Sequence, residues 1–269
     1  MGRNGVTPVI LADGSGRRIT GIPGDFPNCL AQFGGKPVLT HICEKLFEIQ
    51  EVEEIVVSTS KRYESLIRRW ASDLTSRRIR VVTESSHSED QKPGVLKATK
   101  MLLPRLNGGG ILLIAGDNLF TSSLVGMFEL YRRVNATVLG VYRVRRAELV
   151  KQYSCIFLDA RDNEVKGLLE KPPVAFTSIV GTGIYMFPRS VMKQLKTYLH
   201  AGGNPDSPGH FISWLIGRGS IFGYKLEGLW WDIGLPETFN EAKRHFGNLT
   251  REISGVKAIE VPKREVEVG

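Results

Sequence analysis

The stretch TPVILADGSGRRITGIPGDFPNCLAQFGGK, residues 7–36, contains the strongest structural signal in this chain. It begins with an apolar run at 9–12, whose length and β-branched content are typical of a buried strand. A basic turn that contains glycine, 13–18, follows directly. Glycine lets backbone N–H groups approach a ligand closely, so such a turn can bind an anion. Arg17 and Arg18 add charged donors that suit phosphate oxygens.

The glycine spacing of this turn does not identify a phosphate site by itself. It follows neither the Gly-x-x-x-x-Gly-Lys-Ser/Thr pattern nor the Gly-x-Gly-x-x-Gly pattern, and short glycine patterns often match by chance. A surface turn that is merely basic is therefore the alternative interpretation of these residues.

Beyond residue 36, short apolar runs alternate with segments of helical periodicity. This pattern predicts strands at 54–59, 79–83 and 110–115 and helices at 38–49, 62–74 and 94–103. Strands that alternate with helices of this length form right-handed βαβ units. We therefore expect an α/β fold with a Rossmann-like, mixed and mostly parallel sheet flanked by helices. In such sheets ligands bind beyond the carboxyl ends of the strands.

From residue 137 onward the pattern changes to strands separated by fewer helices. Strands are predicted at 137–144, 179–187 and 220–226, with a hairpin of 153–159 and 165–169, and helices at 190–200, 210–217 and 236–246. We interpret residues 1–250 as one domain and residues 251–269 as a charged C-terminal tail. This tail is a candidate contact in a homo-oligomer.

Composition favours a globular, reduced and cytoplasmic protein. The 269 residues are 42% hydrophobic, which is ample for a large core, but no run reaches the roughly 18 apolar residues of a membrane span. The N-terminus lacks the apolar run of a secretory signal. Cys29, Cys43 and Cys155 form no Cys-x-x-Cys pair, so neither a zinc site nor a disulfide framework is indicated.

The net charge of +8 indicates an anionic partner. Much of it lies in 61–80, where Tyr63, Leu66, Ile67 and Trp70 recur at helical spacing. We interpret this segment as an amphipathic helix with a solvated basic face, and an RNA or anion patch is the alternative. Phosphorylated small molecules are the expected partners, and nucleic acid is not.

Three further segments carry candidate acids, and two of them lie at the end of a predicted strand. Asp117 directly follows a buried strand, where a carboxylate is well placed to hold Mg²⁺ on a nucleotide, although a lone Asp also caps helices. Glu170 and Lys171 end the hairpin, where they are candidate functional residues. The alternative interpretation is a solvated surface pair. Asp232 follows two tryptophans that could simply belong to the core, but Asp232 itself is better explained as a second metal ligand.

Taken together, five motifs resemble those of the sugar-1-phosphate nucleotidyltransferases, also called nucleotide-sugar pyrophosphorylases. That family begins LAGGxGTRL, PKxL and KP, and this chain reads LADGSGRRI at 11–19, PNCL at 27–30 and KP at 36–37. Four later motifs of this chain also resemble those of the family: Gly-Asp-Asn at 116–118, Glu-Lys-Pro at 170–172, Gly-Ile-Tyr at 183–185 and WDIGLPE at 231–237. The resemblance covers about nine tenths of the chain, and the order and spacing of the motifs carry it.

The resemblance implies the nucleotide-diphospho-sugar transferase fold and a specific reaction. A sugar-1-phosphate oxygen attacks the α-phosphorus of a nucleoside triphosphate, pyrophosphate leaves, and a nucleotide sugar forms. The implied cofactor is Mg²⁺, held by Asp117 and Asp232. Arg18, with Arg17 beside it, would neutralise the pyrophosphate, and Lys171 would hold the sugar phosphate.

The resemblance also implies which residues bind each substrate. The implied nucleotide-binding residues are Leu11, Ala12, Asp13, Gly14, Gly16 and Gly94. The implied sugar-phosphate residues are Tyr153, Glu170, Lys171 and Gly181, with Glu170 on a sugar hydroxyl.

Four positions depart from the family pattern: Asp13 replaces Gly, Arg17 replaces Thr, Asn28 replaces Lys and Ser154 replaces Gly. Losing a cationic contact such as that lysine costs on the order of 3 kcal/mol of transition-state stabilisation. We hypothesise that Arg17 carries the missing charge. The alternatives are a weak or silent homologue that acts as a binding or regulatory subunit, and a nucleotide-sugar-dependent glycosyltransferase. A glycosyltransferase is expected to carry Asp-x-Asp, which Gly-Asp-Asn-Leu is not.

Overall fold

The computed structural model describes residues 5–19, 26–74, 78–84, 94–106 and 109–252, with side chains as far as residue 247. The strands are β1 (Val6–Leu11), β2 (Gln32–Phe33), β3 (Lys36–Pro37), β4 (Ile55–Ser60), β5 (Ile79–Glu84), β6 (Gly110–Ala115), β7 (Asn118–Phe120), β8 (Thr137–Arg143), β9 (Ser154–Leu158), β10 (Val165–Glu170), β11 (Ile179–Pro188), β12 (Ile221–Lys225) and β13 (Trp230–Asp232). The helices are α1 (Val38–Leu46), α2 (Glu64–Ser72), α3 (Val95–Leu102), α4 (Val125–Val134), α5 (Ala147–Val150), α6 (Arg189–His200), α7 (Pro208–Leu215) and α8 (Pro236–Glu252).

A nine-stranded mixed sheet forms the centre of the molecule. Its strands follow the order β10-β9-β11-β6-β1-β4-β5, and β8 joins β11 to β12. The strands β6, β1, β4 and β5 are parallel, whereas β11 runs antiparallel to β6 and β8. The predicted helix-flanked α/β fold is therefore confirmed, and so is the hairpin, which is formed by β9 and β10.

Both faces of the sheet are covered, which explains the continuous apolar runs in its parallel strands. Val9 and Ile10 are both fully buried, although their side chains point to opposite faces. Ile10 belongs to the cluster that contains α1 and α2, and Val9 to the cluster that contains α3, α6 and α7. This two-sided burial holds the carboxyl end of β1 at the rim of the sheet.

Several elements were not predicted from the sequence, namely α4, α5 and four short strands. Two of those strands, β7 and β13, pair antiparallel in a separate ribbon. Strands of three residues are too short to show a periodicity of their own. The ends of the predicted helices also differ from the observed ones by a few residues, as is usual for helix boundaries.

The basic segment forms the predicted amphipathic helix, α2. Tyr63, Ile67 and Trp70 are buried, but Leu66 is 36% exposed and lies outside the buried stripe. At the other end of the chain α8 continues to Glu252, so the predicted boundary between domain and tail falls inside a helix. The rest of that tail lies outside the described residues. Within those residues, no helix is long and apolar enough to cross a membrane.

Candidate active site

Two neighbouring cavities open at the carboxyl ends of the parallel strands. The larger has a volume of about 620 Å³ and the smaller about 190 Å³. Asp117 lines both cavities, together with Ala115, Gly183, Tyr185 and Pro208. The acid after β6 therefore lies where the two cavities meet.

The basic turn after β1 forms part of the wall of the larger cavity through Leu11, Asp13 and Gly14. The backbone N–H of Asn28 donates to the carbonyl of Gly14 over 3.1 Å, which fastens the turn to the following segment. A Cβ at Gly14 would lie 2.6 Å from Asn28 Oδ1. Glycine is required there because the Asn28 side chain, only 3% exposed, packs against that backbone.

Gly94 lines the same cavity from the start of α3. Its φ of +80° is in the left-handed region, and an added Cβ would lie 2.4 Å from Asp206 Oδ1. The N–H of Leu96 donates to the carbonyl of Pro205 over 2.8 Å. These contacts attach α3 to the loop before α7 and close one side of the cavity.

Ala12 and Gly16, also predicted to bind nucleotide, belong to the scaffold of the turn and do not line either cavity. Ala12 is fully buried; its N–H donates to the carbonyl of Ser58, and its carbonyl accepts from the Thr59 hydroxyl. The N–H of Gly16 donates to the carbonyl of Phe26. Since these backbone groups already have partners, they are not free to bind a ligand.

The ribbon of β7 and β13 joins the two predicted metal-binding acids. Asp232 lies opposite Asn118 in the strand register, and the N–H of Ile233 donates to the carbonyl of Asp117 over 2.9 Å. Trp230 reinforces the ribbon, because its Nε1–H donates to Asn118 Oδ1 over 2.6 Å. The ribbon thus holds Asp117 and Asp232 close together.

The carboxylates of Asp117 and Asp232 face the same small space beside Gly234. A Cβ at Gly234 would lie 2.9 Å from Asp232 Oδ1, 3.1 Å from Asp117 Oδ2 and 3.5 Å from Arg18 Nη2. The N–H of Gly234 also donates to Asp232 Oδ1 over 2.8 Å. Glycine leaves this space open, and a single small group would contact both acids.

Burial raises the pKa of both acids, and the charge of Asp117 adds to the shift of Asp232. Burial, and then the nearby charge of Asp117, raises the pKa of Asp232 to about 7, while the Gly234 N–H and the Arg18 guanidinium oppose the shift. Burial likewise raises the pKa of Asp117, against the influence of its backbone hydrogen bond, Arg18 and the Asn28 amide. A perturbed acid pair in a cleft is typical of a functional site.

A divalent cation would relieve this repulsion, and the donor set fits Mg²⁺. Magnesium is usually held by one or two carboxylates together with substrate phosphates and water. Among the described residues, no three His, Cys, Asp or Glu side chains are grouped as a metal site. Asp117 and Asp232 are the two carboxylates that could contribute to such a site.

The two arginines of the turn differ in position. The guanidinium of Arg18 reaches the space beside Gly234 and acts on both acids. Arg17 is exposed and makes no hydrogen bond or ion pair with any other residue that the structure describes. Neither lines the two cavities. Only Arg18 is therefore brought to the acid pair.

The smaller cavity gathers all of the predicted sugar-phosphate residues: Tyr153, Glu170, Lys171 and Gly181. Lys171 has a φ of 42°, an unusual conformation for a side chain with a Cβ. Its N–H donates to the carbonyl of Tyr153 over 3.2 Å, which ties the residue after β10 to the residue before β9. Such strain is often found at binding sites.

Other residues at these cavities were not assigned from the sequence. Ser58 Oγ donates to Glu84 Oε1 over 2.7 Å, and both line the larger cavity. The sequence could have indicated both residues, because they lie near the carboxyl ends of β4 and β5, where ligands bind in such sheets. Tyr185 lies between the two cavities, and the Gly-Ile-Tyr motif had marked its position without giving it a role.

Comparisons with known proteins identify relatives of this chain. Residues 7–248 match the model of the family described as "Nucleotidyl transferase". The bifunctional protein GlmU of Methanococcus aeolicus is 26% identical over 248 residues, which cover 92% of this chain and 56% of GlmU. The UTP–glucose-1-phosphate uridylyltransferase AglF of Haloferax volcanii is 26% identical over 91% of this chain and 98% of AglF.

Solved structures show the same fold. A UDP-glucose pyrophosphorylase complexed with UDP-glucose superposes with a TM-score of 0.76 at 19% identity, covering 91% of this chain and 99% of that chain. An apo UDP-glucose pyrophosphorylase superposes with a TM-score of 0.73 at 18% identity. The chain spans only about half of GlmU, whereas it spans nearly all of AglF. The family model matches about nine tenths of this chain, and the chain therefore belongs to the nucleotidyl transferase family.

Proposed function

We propose that this protein transfers a nucleotidyl group from a nucleoside triphosphate to a sugar 1-phosphate and releases pyrophosphate. The observation that carries the proposal is the position of Asp117 at the junction of two unequal cavities, with Asp232 beside it in the wall of the smaller one. The larger cavity suits the nucleoside and the smaller the sugar phosphate. Related proteins are named for uridylyl and guanylyl transfer to sugar 1-phosphates.

Asp117 and Asp232 would hold Mg²⁺. The bound ion would supply charge neutralisation at the transferring phosphate. This assignment agrees with the chemistry of the donor set, two carboxylates that face one small space with a charged guanidinium beside them. It also explains why two acids are kept close together at a cost in electrostatic repulsion.

The protein's own groups mainly position the substrates and balance charge. An oxygen of the sugar phosphate forms a bond to the α-phosphorus, and the bond from that phosphorus to the bridging oxygen of pyrophosphate breaks. Lys171 would hold the attacking phosphate and Arg18 the leaving pyrophosphate. Glu170 would accept a hydrogen bond from the sugar. Fixed charges of this kind commonly contribute most of the rate in phosphoryl transfer.

The lysine absent at Asn28 does not leave the site without charge. Arg18 already lies beside both acids, so it is better placed than Arg17 to supply a positive group. The complete acid pair also favours an active enzyme over a silent homologue, for which two buried like charges would only reduce stability.

We further propose a cytoplasmic location. Nucleoside triphosphates and sugar phosphates are highly charged and are retained where they are made. Cys29, Cys43 and Cys155 are all free and buried, which suits a reducing compartment.

The test is a screen for pyrophosphate release. Each of UTP, dTTP, GTP, ATP and CTP is combined with glucose, galactose, mannose and N-acetylglucosamine 1-phosphates, with Mg²⁺ or with EDTA. We expect release with at least one pair, only with the metal, and loss of at least about a hundredfold in Asp117→Asn. Absence of release from the wild-type protein with every pair would refute the proposal.

A further inference from the structure

One unexpected contact in the smaller cavity concerns Ser154, which stands where the family pattern has glycine. Ser154 Oγ donates a short hydrogen bond to Glu170 Oε2 across the β9–β10 hairpin. Ser154 is only 9% exposed, and both side chains line the cavity. The hydroxyl thus fixes the orientation of the acid.

The first turn of α7 supports the same carboxylate from the other side. A Cβ at Gly209 would lie 2.0 Å from Glu170 Oε2 and 2.8 Å from Ser154 Oγ, so only glycine fits at that position. The N-terminus of a helix also favours a nearby negative charge. Glu170 Oε2 is therefore packed against Ser154 and the first turn of α7.

No described residue donates to the remaining acceptors of this pair, and both side chains line the cavity. Glu170 Oε1 has no hydrogen-bond partner among the described residues, and it is not one of their buried polar atoms that lack a partner. Ser154 Oγ uses its hydrogen on Glu170 and keeps lone pairs that can accept. Two neighbouring atoms that only accept hydrogen bonds require a ligand with two neighbouring donors.

We propose that Ser154 and Glu170 together read a vicinal diol of the sugar, which makes Ser154 a specificity-determining residue. The inference rests on the proposed function. It names the substrate class as an aldose 1-phosphate with two adjacent free hydroxyls, in preference to deoxy sugars and to sugars with an acylated amine at that place. A site built to bind a hydroxyl rejects an analogue that lacks it, because its own polar groups lose their partner.

The decisive experiment compares sugar selectivity in the wild type, Ser154→Ala and Ser154→Gly. The probes are whichever of the glucose, galactose and mannose 1-phosphates the wild type uses best, and its 2-, 3-, 4- and 6-deoxy analogues. We expect loss of the hydroxyl at either one of two adjacent carbons to lower wild-type kcat/KM by at least about tenfold. With the parent sugar, kcat/KM of both variants should be about 3- to 10-fold lower than that of the wild type. At one of those two carbons, the variants should no longer discriminate between the parent sugar and its deoxy analogue.

Ser213→Ala is the matched control, because Ser213 Oγ donates to the carbonyl of Leu168 at the same α7–β10 contact but lies outside the cavity. It should keep both activity and selectivity. Equal losses of the Ser154 variants with all five sugars would overturn the proposal, and so would wild-type discrimination at non-adjacent carbons only. A wild type with no turnover at all would instead refute the proposed function.

Discussion

The backbone N–H of Ile233 donates to the carbonyl of Asp117 over 2.9 Å. This bond joins two motifs separated by more than a hundred residues and lies next to both acids of the candidate site. Because the bond is made by the backbone, it holds the acids together even if either side chain is changed. The contributions of the two acids can therefore be tested without loss of the fold.

Asp117→Asn and Asp232→Asn should each lower turnover by at least about a hundredfold. Each change also removes one of two buried like charges, so the metal-free variants should melt at the same temperature as the wild type or higher. Steady-state kinetics and thermal unfolding with EDTA measure both effects. Asp73→Asn, an exposed residue after α2, is the control and should change neither. Wild-type turnover in both acid variants would contradict the metal assignment.

The pH dependence should follow Asp232. Its pKa is raised to about 7 in the folded protein but is about 3.9 in an unfolded chain. Between these values the metal-free folded state binds more protons, so this group's contribution to stability decreases as pH rises from about 4 to 7. A cation binds the ionised form, so Mn²⁺ affinity should rise over the pH range up to about 7 and then level off.

Titrations with Mn²⁺ at pH 5.5 to 8.5, followed by electron paramagnetic resonance, measure this affinity directly. In Asp232→Asn the rise near pH 7 should disappear together with most of the binding. A wild-type affinity that is constant across this range would show that the pKa of Asp232 is not raised to about 7, and unchanged binding in Asp232→Asn would show that Asp232 is not a ligand.

Gly234→Ala should remove metal binding while the protein stays folded. Its methyl group would lie about 3 Å from one oxygen of each acid, in the space that the cation needs. Gly219→Ala is the matched control, because a Cβ there meets no atom within 4 Å. Calorimetric Mn²⁺ titration and circular dichroism separate the two effects. Normal binding in Gly234→Ala would place the cation elsewhere.

Arg18→Gln should reduce turnover by at least tenfold, since its guanidinium faces both acids, whereas Arg17→Gln should have an effect below about threefold. Comparison of kcat, of KM for the triphosphate and of pyrophosphate inhibition in the two variants tests this order. The reverse order would support the hypothesis, drawn from the sequence, that Arg17 replaces the lysine missing at Asn28.

Local sequence patterns determined the parallel half of the sheet and the rim that carries the site. The apolar run of β1 indicated a strand buried on both faces, and Val9 and Ile10 are indeed fully buried. Asp117 and the turn at Asp13 each directly follow a predicted strand, and the carboxyl ends of parallel strands meet at one rim. Order and spacing of short motifs identified the family, which requires no knowledge of contacts.

Tertiary structure decided which of those residues meet. The ribbon of β7 and β13 has three residues on each side, so no local pattern reveals it, yet it brings Asp232 next to Asp117. Charge alone made Arg17 and Arg18 equivalent, and only the path of the turn separates them. Likewise, the bond between Ser154 and Glu170 depends on the hairpin register and on α7. Contacts between distant segments depend on packing, which local periodicity does not encode.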